Sequence, residues 1–315
     1  MRSRVIAAID FSSGSVDAVK WAARWLLPGR DLVLAHVLVV PQSDGLLGVR
    51  TNVAESLLEN ARVGARRRLD DLRRSLGIPG ARIEIANGKP GEAIARIVQS
   101  LQADLVVLGK HGEAGPLKGY TGRTADALVR SSPVPTLVVN GVVTDAPRQI
   151  IVPLTYSSIT PHVVEWTRRI QEASGAQVRI VHVINSGTLS HVLSMASVTT
   201  GEPPTSEEID EMFAEDRERW TQMLVEAGIP EHMITSEVVF GEVSTCILAE
   251  SATRNADMII MGSHAGPVRR LLLGSAASAV LRNAEIPVMV VVEPVKVTDA
   301  HESTTHATVG AGENK

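Results

Sequence analysis

The pattern with the most chemistry in this chain is Gly109-Lys-His-Gly112, nine intervening residues, then Gly122-Arg123-Thr124. Glycines at both ends let the backbone approach an anion, and the amides of a helix starting near Gly122 suit a phosphate. Lys110, Lys118 and Arg123 add positive charge against one acid, Glu113. The other reading of such a stretch is a tight turn followed by a surface loop. Asp10 follows a short apolar run, where its carboxylate could accept from a ribose hydroxyl, an exocyclic amine or a water on Mg²⁺. Because Ser12, Ser13 and Ser15 come next, Asp10 reads equally well as a helix N-cap or turn residue. The chain has no Gly-x4-Gly-Lys-Ser/Thr loop and no Gly-x-Gly-x-x-Gly after its first apolar run, so the usual triphosphate and dinucleotide loops lose their support.

Other candidates carry less. No compact His/Cys/Asp spacing suggests a zinc site, and Ser12 and Ser13 have no evident histidine partner for a hydrolase triad. His36 and His182 read as structural residues at strand ends. Cys246 sits beside Ile247 and Leu248 in an apolar helical pattern and reads as core. Arg66-Arg67-Arg68, with Asp70, Asp71, Arg73 and Arg74, fits the solvated face of a helix.

The elements that must position these residues come in a repeat. VIAAIDFS at 5–12 aligns with IIVPLTYS at 150–157, placing Trp21 and Trp166 eleven residues after Asp10 and Thr155. His36-Val37 then pairs with His182-Val183, Gly88 with Gly241, the run 104–109 with 257–262, and Pro135 with Pro287. The reading is two copies of one α/β domain, at 1–145 and 146–295, with 141–148 as linker and 296–315 as a disordered tail. In the first copy strands fit at 4–9, 31–39, 82–86, 104–108 and 136–140, alternating with helical patterns. One helix carries Val16, Val19, Ala23 and Leu26, and the next Leu58, Ala61, Ala65, Leu69, Leu72 and Leu76. A third carries Ile94, Ile97, Val98 and Leu101, and a fourth Ala125, Leu128 and Val129. Each domain is then a doubly wound, five-stranded parallel sheet flanked by helices, with a ligand crevice beyond the carboxyl ends of its strands. The closing strands at 135–139 and 287–292 would be sheet edges, and exposed apolar edges invite pairing.

Asp10, His36-Val37 and the Gly-x2-Gly-x9-Gly spacing resemble the universal stress protein family, over about 1–140 and again 149–293. The resemblance implies an adenine nucleotide alpha hydrolase-like fold and ATP or ADP, with Mg²⁺ as companion, held mainly by the first copy; it also implies that the closing strands pair edge to edge inside the chain, as a pseudo-dimer, or with another chain. Ile9, Asp10 and Val37 would meet the nucleoside, while Gly109, His111, Gly112, Gly122, Arg123 and Thr124 would surround ribose and phosphates. Arg123 departs from the family's Ser/Thr at that place, either adding a charge-assisted contact or filling the space.

The second copy departs further. Thr155 replaces the carboxylate, and Gly262-Ser-His-Ala265 is followed by only eight residues before Gly274-Ser275. Alanine at 265 would be strained if that position required a positive φ. Val183, Gly262, His264, Gly274 and Ser275, with Arg269 and Arg270, form the weaker second candidate site.

Composition limits the partners. A net charge of −4 supplies no global field for nucleic acid, and aromatics at 3% leave an adenine to lie against aliphatic side chains. A single cysteine fits a reducing compartment, and no run of about 20 apolar residues spans a membrane, so a cytoplasmic location is expected. The expected function is an ATP-binding stress or regulatory protein with an unknown protein partner, and more a binder than an enzyme. The alternatives are a slow ATPase at the same site, or a tandem scaffold whose second copy, altered at 262–275 and enlarged around 187–215, takes another ligand such as a lipid.

Overall fold

Short apolar runs bounded by glycine and proline alternate with three-to-four periodic stretches, and the chain condenses into strands covered by helices on both faces. The computed structural model describes residues 4–26, 31–39, 51–112, 121–141, 145–185, 187–188, 190, 193–194, 205–263 and 273–293. The first half runs β1 (Arg4–Ile9), α1 (Ser13–Trp21), β2 (Asp31–Leu38), α2 (Thr51–Ser75), β3 (Arg82–Asn87), α3 (Pro90–Ser100), β4 (Leu105–Gly109), α4 (Arg123–Ser131) and β5 (Thr136–Val139). The second runs β6 (Gln149–Pro153), α5 (Thr160–Ser174), β7 (Gln177–Ile184), α6 (Ser206–Met212), α7 (Ala214–Glu226), β8 (Ile234–Phe240), α8 (Val243–Thr253), β9 (Met258–Gly262), α9 (Ser275–Asn283) and β10 (Val288–Val291).

Within each half the strands are parallel in the order 3-2-1-4-5, the doubly wound arrangement the sequence implies. The closing strands meet: β5 pairs antiparallel with β10, Val138 facing Val288 and Leu137 facing Met289, so one sheet of ten strands runs through the chain. Alternation along the strands splits the core between two faces. Val5, Ala7 and Ile9 point to α1, α2, α5 and α7, whereas Ile6 and Ala8 point to α3, α4, α8 and α9.

Local deviations have local causes. Helix α1 stops at Trp21 and passes into a wider π turn over Ala22–Leu26; its buried stripe is Ser15, Ala18, Val19, Trp21 and Ala22, with the expected Val16 and Ala23 only partly buried beside it. Helix α2 buries Ala65 and Leu69, while Ala61 is exposed because its N-terminal turns extend past the sheet. Gly109 closes β4 as its last residue.

Lys110 corrects an expectation. Its sequence position suggests an anion ligand, yet the side chain is only 6% exposed and crosses to the second half. Nζ donates to the carbonyls of Arg282 (2.9 Å) and Ala284 (2.8 Å), at the C-terminal end of α9. Asn140 Nδ2 donates to the same Ala284 carbonyl at 2.7 Å. A cation there complements the negative end of the helix dipole. Burial lowers the lysine pKa, and the nearby Glu285 opposes that shift. Lys110→Met should leave the Arg282 carbonyl without this donor and weaken the joint between the halves. The expected loss is about 1–3 kcal/mol in urea unfolding, and an unchanged midpoint would show that the strut carries no stability.

Candidate functional site

Because β1 and β4 are central and the chain switches direction between them, their carboxyl ends open a crevice at the point where ligands enter this architecture. A cavity of about 430 Å³ lies there, within the range of small-molecule sites. Ile9, Asp10, Val37, Gly109, His111, Gly112, Gly122, Arg123 and Thr124 all line it. The sequence reading missed its apolar wall, formed by Ala8, Ala35, Val39, Pro90, Ile94 and Leu108. Strand alternation in β1 and β2, and the first turn of α3, are the signals that could have revealed it. The wall is aliphatic, with no Phe, Tyr or Trp among the described residues that line it.

The three glycines share one reason, close approach rather than unusual φ. A Cβ on Gly109 would stand 2.6 Å from the Gly14 backbone, one on Gly122 would stand 2.8 Å from the Lys110 carbonyl, and one on Gly112 would stand 2.5 Å from Asp10 Oδ2. None of the three has a left-handed φ. The strain argument for alanine at 265 therefore loses its premise. The second half has Thr155 where the first has Asp10, so the carboxylate that excludes a methyl at 112 has no counterpart. Ala265, His264, Arg269 and Arg270 lie outside the described residues, as do Glu113, Lys118 and the 296–315 tail.

Asp10 takes the turn role rather than that of the N-cap. Its Oδ1 accepts from the Ser12 amide (3.0 Å) and hydroxyl (2.6 Å), fixing the turn, while Oδ2 faces Gly112. The N-cap of α1 is Ser12, whose hydroxyl accepts from the Ser15 amide. Between them Phe11 is held at φ 68°, a conformation costing a bulky residue about 1–3 kcal/mol. Its ring packs 4.7 Å from His36 and beneath the Arg68 guanidinium at 3.9 Å. His36 Nδ1 donates to the Ile9 carbonyl at 2.7 Å, and His182 Nδ1 to the Leu154 carbonyl at 2.9 Å, both structural bonds at strand ends.

The phosphate-suited end is α4. Gly122 is its N-cap and supplies no side chain to the free amides of the first turn, which face the crevice with Arg123 and Thr124. Arg123 makes no ion pair with a described residue. His111 beside it is held below the usual imidazole range by burial and by the Lys110 charge, which favours the neutral ring at pH 7.

The second half is differently charged. Glu242 stands where the first half has Lys89, and it caps α8 by accepting from the Ser244 (3.1 Å) and Thr245 (2.7 Å) amides. Hydrogen bonds from Thr245 and Ser244 hold its carboxyl down to about 2. A fixed carboxylate thus occupies a helix start that α3 leaves without a side-chain cap. Val183 is the penultimate residue of β7 and Gly262 the last of β9, and Gly274 and Ser275 open α9 without a side-chain cap. Tyr156 stacks on Trp220 at 4.3 Å and donates to Asp216 at 2.6 Å. Cys246 is half-buried, and burial with nearby Glu242 and Glu250 pushes its thiol pKa up, away from nucleophilic character. Among the described residues no group of three or more His, Cys, Asp or Glu converges on a metal position, and no helix is long and apolar enough to cross a membrane.

Comparison with known proteins follows this geometry. The profile of the universal stress protein family matches residues 1–140 and again 147–292. A universal stress protein from Mycolicibacterium smegmatis is 26% identical over 301 residues, covering 91% of this chain and 96% of that protein. Universal stress protein Slr1230 from Synechocystis is 24% identical over 59% of this chain and 57% of its own length. The crystal structure of a universal stress protein from Archaeoglobus fulgidus superposes with a TM-score of 0.61 at 18% identity, covering 93% of this chain and 97% of its own.

Two outcomes test the geometry. Gly112→Ala should cost about 1–3 kcal/mol by crowding Asp10, and it should cost less in an Asp10→Ala background. Equal costs in both backgrounds, measured by urea unfolding, would refute the steric pairing. Glu242 has a folded pKa of about 2, below an unfolded value of about 4.3. Its contribution to stability is complete above the unfolded value and lost as pH falls toward 2. Unfolding midpoints should fall more between pH 5 and pH 3 in the wild type than in Glu242→Gln.

Proposed function

The chain belongs to the universal stress protein family, and on that premise we propose that it is a cytoplasmic adenine-nucleotide-binding regulatory protein whose first half holds ATP or ADP. The observation carrying this reading is the open start of α4 beside Arg123, at one end of an aliphatic crevice. The base lies against Ala35, Val37 and Ile94, the nucleoside meets Asp10 Oδ2 and the backbone near Ile9, and the phosphates sit on the amides of 123–125. The Ile9 carbonyl already serves His36, so its remaining lone pair is what a ligand can use. Gly109, His111, Gly112 and Thr124 line the ribose and phosphate end. A Mg²⁺ accompanying the nucleotide is held chiefly by phosphate oxygens and water, as that ion ordinarily is.

The second half serves a different purpose. Glu242 puts a carboxylate at a helix start, and Thr155 removes the hydroxyl-binding acid, so this half acts as a scaffold for a protein partner or another ligand. Loop ordering on nucleotide binding would then alter the partner surface.

Calorimetry with ATP and Mg²⁺ in phosphate-free buffer tests the reading. The wild type should bind, and Gly122→Glu, which puts a side chain and a negative charge against the Lys110 carbonyl, should not. Arg123→Gln, which keeps the fold, should bind about tenfold more weakly. Absence of heat with the wild type would remove the nucleotide reading.

A further inference from the structure

A second cavity, of about 300 Å³, crosses the boundary between the halves. Thr121, Arg123 and Asp126 line it from the start of α4, and Ser278, Leu281 and Arg282 line it from α9. Arg123 also lines the larger crevice, so the phosphate-suited helix start borders both spaces.

The charges in this cavity are unequal by design of the repeat. Counting from Pro135 and Pro287, Arg130 corresponds to Arg282, and Asp126 to Ser278. In α4 the pair is closed: Arg130 makes two bonds to Asp126, at 2.9 and 3.0 Å. In α9 the acid four residues earlier has become Ser278, and Arg282 makes no ion pair with a described residue. Two guanidiniums that pair with no described acid, Arg123 and Arg282, therefore line one cavity, while the one carboxylate among its described lining residues, Asp126, is neutralised by Arg130. The C-terminal carbonyls of α9 would ordinarily repel an anion there, but Lys110 and Asn140 already donate to the last of them.

From this we infer that the inter-half cavity is a polyphosphate subsite, in which Arg282 of the second half reaches the terminal phosphates of a nucleotide held by the first. Guanidinium forks suit phosphate oxygens, and the Thr121 and Ser278 hydroxyls add neutral donors. A nucleoside triphosphate bridges the two halves, whereas a monophosphate ends at α4. The site thereby distinguishes triphosphate from monophosphate, and couples that distinction to the joint between the halves. The inference rests on the nucleotide reading of the crevice.

Calorimetry of the full chain with ATP and with AMP, at one fixed salt concentration, tests it. Arg282→Gln should weaken ATP binding about tenfold and leave AMP binding unchanged. Ser278→Asp, which restores the partner that Arg130 enjoys, should do the same by engaging Arg282 internally. Both sites are exposed or half-buried, and unchanged unfolding midpoints verify that the fold is intact. ATP affinity equal to wild type in both variants, with AMP still bound, overturns the subsite and leaves the crevice reading standing. A parallel loss of ATP and AMP also overturns it, because Arg282 would then support the whole site. Failure of the wild type to bind either nucleotide overturns both readings.

Discussion

The antiparallel pairing of β5 with β10 is the contact on which the rest of the molecule depends. An unpaired edge strand exposes a row of amides and carbonyls, and here each half satisfies the other's edge. Antiparallel joining also fixes what lies above the strands, because it brings the start of α4 beside the end of α9. That juxtaposition gives Lys110 two carbonyls to hold and puts Arg123 and Arg282 on one cavity. A joint made only of backbone bonds and valines would be symmetric. Lys110 and Asn140 make it one-sided, because their counterparts are Ser263 and Val292, which cannot return those contacts.

A second constraint is how closely backbones converge at the crevice. Strand β4 ends against the first turn of α1, and its continuation passes beneath α4, leaving no space for a Cβ at 109 or 122. The glycine spacing thus reports packing of three backbone segments, which would be needed whether or not a ligand binds. Gly112 is the exception. Its neighbour is a carboxylate oxygen rather than backbone, so glycine at 112 and aspartate at 10 form one unit. The second half, with Thr155 and Ala265, has changed both members together.

Much of this was legible in the sequence because it rests on periodicity and spacing. The repeat and the strand order within each half follow from such patterns, while the resemblance to a known family supplied the pairing of the closing strands and most of the residues at the crevice. What escaped depends on relations between segments distant in sequence. Lys110 reads as a loop cation until the fold carries its side chain to carbonyls more than 170 residues away. The π turn that follows α1 is one that propensity does not announce. Phe11 enters a left-handed turn because His36 and Arg68 pack around its ring, and neither contact is local.

Duplication followed by separate change explains why the halves differ mostly in charge and little in packing. Core positions tolerate few volumes, so among the described residues both sheet faces stay apolar in both halves, one purely aliphatic and the other with buried tryptophans at Trp21, Trp166 and Trp220. Charged positions at helix ends are free to diverge, and four have done so in concert. Lys89 became Glu242, Asp10 became Thr155, Asp126 became Ser278, and Lys110 became Ser263, taking the first-half residue as reference in each pair. The first two make the second crevice less suited to a nucleotide. The last two act at the joint, one by releasing Arg282 and the other by making the strut single. Three of the changes are small electrostatic effects at exposed or half-buried positions, while Lys110 acts from a buried one. Together they place positive charge that no described acid pairs where the first half's crevice meets the second half, and a fixed carboxylate at the opposite crevice, so an anion entering this molecule has one favoured place to go.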